Sequence, residues 1–281
     1  MTSLQVKLSG LLAMIMWVIL MSKLSQISCD QVFQSQKPLL KATGLLGTLR
    51  IQHNTGPALG LDCPAEQPKP QFEPYALNGG TIAAIAGKGY VVLAADTRLA
   101  RGYNILSRNV SRIAQVTENV VMGTGGCWSD FSGLLKQLQY TAKKYLWENR
   151  KPLSVQSFST LLFITLYQRR LFPYYAFNIV AGLDDSGMGA VYSYDAIGSY
   201  QRVPAACTGT AQHLLQPTLD LICADMAKDH LDLTLEEAVQ VLKEIFIAGS
   251  EREIHLGDQM EIVIIQESHG VTRQFQQLAS H

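Results

Sequence analysis

Residues 81–96 read TIAAIAGKGYVVLAAD, and the architecture of the chain can be worked out from this stretch. Two short runs of apolar and β-prone residues, Thr81–Ala86 and Tyr90–Ala95, flank Gly87-Lys88-Gly89, a turn sequence typical of a β-hairpin. The second run is apolar on both faces, so a strand formed by it must be covered on both sides. The stretch therefore predicts a buried sheet with further layers above and below it.

The segments that follow carry strand and helix patterns in a definite order. Helices are predicted at Ser129–Glu148, Ser154–Phe172 and Ala211–Lys228, and a fourth is predicted to start with the capping box of Thr234 and Glu237. Strands are predicted at Val120–Thr124, Tyr175–Leu183, Gly189–Tyr194, Ser199–Ala206, Glu261–Gln266 and Val271–Phe275. This order predicts an α+β fold in which two stacked antiparallel sheets lie between pairs of helices, a four-layer αββα sandwich.

The amino-terminal part of the chain differs in composition from the rest. Leu11–Met21 is an apolar run that resembles the core of an export signal, and it is shorter than the roughly 20 residues of a membrane-spanning helix. Residues 57–74 hold five of the ten prolines and predict an extended linker. We therefore expect an extension or pro-segment over residues 1–71 and one folded domain over residues 72–281. Export guided by the apolar run stays open as an alternative.

Charge and residue usage exclude several functions. Lys and Arg (23) balance Asp and Glu (23), so no global field attracts nucleic acid or an anionic membrane. The five cysteines include no C-x-x-C pair, which fits a reducing intracellular compartment. The six histidines never pair at i, i+4, so we expect no metal site. Gly123-x-Gly125-Gly126 lacks the Lys-Ser/Thr of a phosphate-binding loop, and we expect no cofactor.

Four motifs carry a resemblance to a known family: Asn78-Gly79-Gly80-Thr81-Ile82, Ala94-Ala95-Asp96-Thr97-Arg98, Gly123-Thr124-Gly125-Gly126 and Gly257-Asp258. Through them the chain from about Pro74 to Phe275 resembles the beta subunits of the 20S proteasome, which have the Ntn-hydrolase fold. Two further stretches, Arg169–Tyr175 and Val191–Arg202, resemble the non-catalytic subunit at the sixth beta position.

The resemblance implies a structural role in a large particle. The chain would assemble with other alpha and beta subunits in a 28-subunit stack of rings, in the cytoplasm and nucleus, without nucleic acid, membrane or cofactor. There it would complete a beta ring and help to shape the chamber in which ubiquitin- and ATP-dependent protein degradation takes place. By the same resemblance, the mature chain is expected to start between about Pro64 and Phe72. Whether the chain is the general form or a tissue- or stage-specific one stays open.

The resemblance also implies that the nucleophile is missing. Active members cleave themselves after a glycine and expose a threonine, whose hydroxyl is the nucleophile and whose free amine is the base. In that pattern the motif aspartate lies sixteen residues after the nucleophile, and counting back from Asp96 reaches Gly80. Thr81 is one residue out of register, and such a shift turns a side chain to the opposite face of a strand. An active threonine endopeptidase that uses Thr81 is the alternative.

The other positions of the family's site are altered as well. The lysine falls on Arg112, which cannot give up its proton, and the serine before a Gly-Ser pair becomes Thr208. The distal aspartate and serine become Glu253 and Leu256. Only Asp96 is kept, and we expect it to accept hydrogen bonds from nearby backbone amides or to pair with Arg98. No catalytic residue is therefore predicted.

Overall fold

The structure is a computed structural model, and it describes residues 74–222 and 232–278. The predicted extension over residues 1–71, with its apolar run and nearly all of the proline-rich linker, lies outside the described residues. So does the end of the predicted helix Ala211–Lys228.

Within the described residues the chain forms twelve strands and four helices. The strands are β1 (Thr81–Gly87), β2 (Tyr90–Asp96), β3 (Leu99–Arg101), β4 (Asn104–Ser107), β5 (Ile113–Thr117), β6 (Val120–Gly126), β7 (Ala176–Leu183), β8 (Gly189–Tyr194), β9 (Tyr200–Val203), β10 (Ala205–Gly209), β11 (Gln259–Gln266) and β12 (Gly270–Gln277). The helices are α1 (Trp128–Asn149), α2 (Val155–Tyr167), α3 (Gln212–Ile222) and α4 (Leu235–Ser250).

The strands form two five-stranded sheets and one short hairpin. The first sheet has the order β10-β1-β2-β11-β12, and the second has the order β5-β6-β7-β8-β9. Every neighbouring pair is antiparallel. The hairpin predicted from residues 81–96 is confirmed as β1 and β2, with Gly87 paired to Tyr90 across the turn.

Alternation along β1 shows how the layers are built. Ala83 and Ile85 face one side, where they pack with side chains of α3 and α4. Ile82 and Ala84 face the other side, where they pack against the second sheet. Because both faces of this strand are covered, both of its side-chain sets are apolar. The far face of the second sheet packs in turn on α1 and α2. The predicted αββα order of layers is confirmed.

Two predicted boundaries were wrong. The helix predicted to reach Phe172 ends at Tyr167, and after it the amides of Arg169, Arg170 and Phe172 donate to carbonyls three residues back, as in tight turns. The single strand predicted over Ser199–Ala206 is two strands separated by Pro204, which has no N–H to donate. The chain crosses there from the second sheet to the first.

One helix start was predicted in full. The Thr234 side chain accepts a hydrogen bond from the Glu237 amide, and the Glu237 carboxylate accepts one from the Thr234 amide. The capping box at the start of α4 is therefore confirmed, and it fixes the helix that covers the first sheet.

Candidate functional site

The candidate site lies where β1 begins, at one end of the two sheets. Gly80 immediately precedes β1, Asp96 ends β2 and Arg112 immediately precedes β5. All three are buried. The structure thus brings together three of the six positions that the sequence had singled out.

Gly80 has no room for a side chain. Its φ is +91°, a left-handed conformation that disfavours L-residues other than glycine. A Cβ built on Gly80 would lie 2.2 Å from Cζ and 2.3 Å from Nε of Arg112. The carbonyl oxygen of Gly80 accepts a hydrogen bond from the amide of Thr210, at 3.1 Å. The space in which a side chain at this position would lie is occupied by a guanidinium group.

Arg112 is held by three groups from two parts of the chain, Asn78 and the stretch that contains Asp96 and Arg98. Its Nη2 donates hydrogen bonds to the carbonyl oxygens of Asn78, at 3.0 Å, and of Arg98. Its Nε lies 3.5 Å from Oδ1 of Asp96, in a buried ion pair. Burial lowers the pKa of the Arg112 guanidinium, and the nearby Asp96 carboxylate opposes that shift. A guanidinium so placed carries positive charge and supplies no base.

The Asp96 carboxylate accepts a hydrogen bond from the backbone. Its Oδ1 accepts a hydrogen bond of 2.7 Å from the amide of Thr81. Burial raises the pKa of this carboxyl to about 6, against the opposing effects of Arg112 and of the backbone amides that face it. The expectation that Asp96 accepts from a backbone amide is confirmed. The side chain of Arg98 pairs instead with Asp258, at 2.8 Å, so the charged partner of Asp96 is Arg112.

Thr81 faces away from this cluster. It is 0% exposed, and its Oγ1 accepts a hydrogen bond from the amide of Ala211, at 3.1 Å. The Thr210 hydroxyl is 3.5 Å from the same oxygen. In β1, Thr81 pairs with Gly209, and its N–H is a peptide amide bound to Asp96. The hydroxyl of Thr81 is therefore engaged on the α3 side of the sheet, where nothing from solvent reaches it.

The three remaining predicted positions make their contacts elsewhere. Thr208 is buried in β10, where it pairs with Ile82. The Glu253 carboxylate lies 2.7 Å from Nδ1 of His255, in the loop before β11. Leu256 is buried in the core between the first sheet and the helices α3 and α4.

The segment that precedes Gly80 is bound to the body of the fold at Asn78. The Asn78 amide donates to the carbonyl of Gly126, and its side-chain Nδ2 donates to the carbonyl of Ala100. Its Oδ1 accepts from the amide of Trp128, at 3.0 Å. Sequence reasoning gave Asn78 no structural role. Its only signal was the place of Asn78 in the first motif.

Tyr75 anchors the same segment further upstream. Its ring packs 5.5 Å from the rings of both Phe172 and Tyr175, measured between centroids. Its hydroxyl donates to the carbonyl of Pro173, at 2.7 Å. The chain is thus fixed at two points before it enters β1.

The cavity beside Gly209 offers little chemistry. It has a volume of about 260 Å³ and is lined by Leu77, Gly126, Tyr175, Phe177, Gly209, Thr210 and Gln212. This lining contains no carboxylate, amine, imidazole or thiol group. The Tyr175 phenol and the Thr210 hydroxyl are therefore the groups of this lining that could take part in acid–base or nucleophilic chemistry.

The described residues contain neither a metal-binding cluster nor a helix that could span a membrane. Among residues 74–222 and 232–278, no cluster of three or more His, Cys, Asp or Glu side chains could hold a metal ion. None of the helices in these two ranges is both long and apolar enough to cross a membrane.

Comparison with known proteins gives one consistent family. The model of the proteasome subunit family matches residues 76–265. Proteasome subunit beta type-1 of Danio rerio is 39% identical over 228 residues, which are 80% of this chain and 92% of that protein. The protein of the same name from Drosophila melanogaster is 41% identical over 201 residues, 70% of this chain and 86% of that protein. Proteasome subunit beta type-6 of Saccharomyces cerevisiae is 37% identical over 220 residues, 74% and 91% of the two chains.

Proposed function

This chain belongs to the proteasome subunit family, and from that premise we propose that it is a non-catalytic beta subunit of the 20S proteasome core particle. It completes a beta ring and helps to shape the chamber in which other subunits cut substrates. Its type is that of the beta type-1 relatives, and its place is the sixth position of the ring.

One observation carries the proposal that the chain is inactive. The Arg112 guanidinium fills the space in which a side chain at Gly80 would lie, and the backbone of Gly80 is left-handed. A threonine is β-branched and would meet both obstacles. With Gly80 at the nucleophile position, the site lacks both the hydroxyl and the free amine that threonine catalysis requires.

The neighbouring positions support the same proposal. Arg112 stands where the resemblance places a lysine, and its guanidinium is engaged with two carbonyls and Asp96. Thr208, Glu253 and Leu256 stand where the active pattern has serine, aspartate and serine. The Glu253 carboxylate contacts His255, and Leu256 packs in the apolar core.

The surface offers contacts for an assembly. Tyr103 is 95% exposed, Leu171 is 94% exposed and Trp147 is 82% exposed. Tyr and Trp are enriched in the cores of protein–protein interfaces. We propose that neighbouring alpha and beta subunits cover these three side chains in a 28-subunit particle of the cytoplasm and nucleus, which acts in ubiquitin- and ATP-dependent protein degradation.

The two alternatives are not favoured. An endopeptidase that uses Thr81 would need that hydroxyl to reach a substrate, whereas it is buried and engaged with Ala211. An exported protein would depend on Leu11–Met21, which lies outside the described residues. The family match gives no support to export.

Purification of the particle through this chain tests the proposal. A carboxyl-terminal affinity tag on the full chain should recover other proteasome alpha and beta subunits in a particle of proteasome size. A threonine-directed covalent inhibitor should label other beta subunits of that particle and leave this chain unlabelled. Recovery of the chain alone would overturn the structural assignment, and labelling of this chain would overturn its inactivity.

A further inference from the structure

The Arg112 guanidinium lies among oxygen atoms supplied by two segments of the chain, one at Asn78 and one over residues 96–98. One oxygen-bearing group is the carboxylate of Asp96, and the others are the main-chain carbonyls of Asn78 and Arg98. All four residues are buried, and the Arg112 side chain is only 1% exposed. We call the three oxygen-bearing groups of Asp96, Asn78 and Arg98 the guanidinium receptor.

The shape of the receptor suits a planar cation with several donors. A guanidinium presents five N–H groups in one plane, whereas the ammonium of lysine is a compact point charge. Here one side of the guanidinium faces the carbonyls and another faces the carboxylate. The same plane occupies the space next to Gly80 that any other residue would fill with its Cβ.

We propose that the receptor is a guanidinium-binding site, that Arg112 fills it from within the chain, and that filling it fixes Asn78–Gly80 against the body of the fold. The ligand class of the site is thus a guanidinium cation, supplied in cis. We base this proposal on contacts within one chain, so its outcome is separate from that of the proposed place in the particle.

Asn78 links the receptor to the rest of the structure. Its carbonyl accepts from Arg112 and from the amide of Ala100, and its amide donates to Gly126. Its side chain joins Ala100 to Trp128, at the start of α1. Loss of the guanidinium would leave Asp96 buried without its charged partner, which is strongly unfavourable. The segment before β1 should then open more often than the rest of the fold.

Hydrogen exchange of the full chain, purified in the particle that it enters, tests the proposal. In Arg112→Ala, exchange of the amides of residues 78–81 should rise at least about tenfold, while exchange of α2 stays unchanged. Arg112→Lys should show a smaller rise in the same residues, because the ammonium keeps the positive charge but presents three donors from one nitrogen instead of the planar fork of five. Arg170→Ala is the matched control, because the Arg170 guanidinium lies over the exposed ring of Tyr167, at 4.7 Å.

Free guanidinium should restore slow hydrogen exchange of residues 78–81 in the Arg112→Ala variant. At roughly 10–50 mM, far below the molar concentrations that unfold proteins, guanidinium chloride should bring exchange of residues 78–81 back toward the wild-type rate. It should leave wild type and Arg170→Ala unchanged. Tetramethylammonium chloride at the same concentration controls for ionic strength and should restore nothing.

Two outcomes would overturn the proposal: wild-type exchange of residues 78–81 in Arg112→Ala, or equal restoration by guanidinium and tetramethylammonium. If Arg112→Ala does not accumulate, expression with and without guanidinium in the growth medium replaces the first comparison. Arg112→Lys then provides the test by hydrogen exchange. Exchange of residues 78–81 equal to that of wild type in this variant would contradict the proposal. Copurification of other subunits is read in the same samples and reports on the particle alone.

Discussion

The Cζ atom of Arg112 lies 2.2 Å from the place where a Cβ on Gly80 would be. The two positions therefore depend on each other, since only the absence of a side chain at one admits the guanidinium of the other. The relationship also explains why an arginine can be buried here, because its charge faces Asp96 and its donors face two carbonyls.

Alanine at Gly80 should destabilise the chain more than alanine at Gly89. Both glycines have positive φ, +91° and +77°, so each substitution carries a backbone strain of about 1–2 kcal/mol. Only Gly80 also faces a side chain, because a Cβ on Gly89 meets nothing within 4 Å. The contact with Arg112 should add about 1–3 kcal/mol. The free energies of unfolding of Gly80→Ala and Gly89→Ala give the difference directly.

A double variant isolates the contact itself. In the double variant Gly80→Ala with Arg112→Ala, the loss of stability should be smaller than the sum of the two single losses. Arg112→Ala removes the guanidinium with which the Cβ of Ala at position 80 would clash. Additive losses would show that Gly80 and Arg112 are independent.

Removal of the Thr81 hydroxyl should affect stability and leave peptidase activity unchanged. Thr81→Ala leaves the buried amide of Ala211 without its acceptor, which costs about 1–3 kcal/mol. Thr81→Ser keeps the acceptor and should cost less. Peptide hydrolysis by particles that carry either variant should equal that of wild type per assembled particle. Loss of one activity in Thr81→Ala but not in Thr81→Ser would instead support a catalytic hydroxyl.

Asp96 should make stability depend on pH in an unusual direction. Burial raises the pKa of this carboxyl from 3.8 to about 6, so the folded chain binds the proton more tightly than the unfolded chain. Its contribution to stability is therefore greatest below pH 3.8, falls as the pH rises to about 6 and is lost above that value. The free energy of unfolding of wild type, relative to Asp96→Asn, should fall over this window by at most about 3 kcal/mol.

Denaturant unfolding at several pH values between about 4 and 7 measures that difference. Asp185→Asn, which changes an exposed carboxylate, is the matched control. A difference between wild type and Asp96→Asn that stays constant or grows as the pH rises would contradict the expected direction.

Tyr75 should hold the segment before Gly80 mainly through its ring. Tyr75→Phe loses one hydrogen bond, to the carbonyl of Pro173, and should cost about 0.5–1.5 kcal/mol. Tyr75→Ala also loses the packing against Phe172 and Tyr175, worth about 0.5–1.5 kcal/mol for each pair. Limited proteolysis should therefore cut near Tyr75 faster in the alanine variant than in the phenylalanine variant. Equal rates in both would assign the anchor to the hydroxyl.

The parts of the fold that rest on local pattern could be predicted from the sequence. The apolar faces of residues 81–96 predicted a buried hairpin, and the capping-box pair Thr234 and Glu237 predicted the start of α4. The assignment of strands to sheets near Pro204 could not be predicted. Pro204 moves the chain from one sheet to the other, and periodicity alone does not show which sheet a strand joins.

The same distinction between sequence spacing and tertiary contact applies to the candidate site. The resemblance to the family, with the spacing of its motifs, identified Gly80, Asp96 and Arg112, because that spacing can be counted in the sequence. That Arg112 fills the space beside Gly80, and that Asn78 joins three segments, depends on how distant parts of the chain meet. Such contacts follow from tertiary packing, and no local pattern records them.

We infer that the chain runs unbroken through Gly80 and Thr81 in an assembled particle. Intact-mass spectrometry with amino-terminal sequencing, on the tagged chain from the purified particle, tests it most directly. We expect a mature chain that starts before Tyr75, within the range from about Pro64 to Phe72, together with other alpha and beta subunits. A chain that starts at Thr81 would contradict the account.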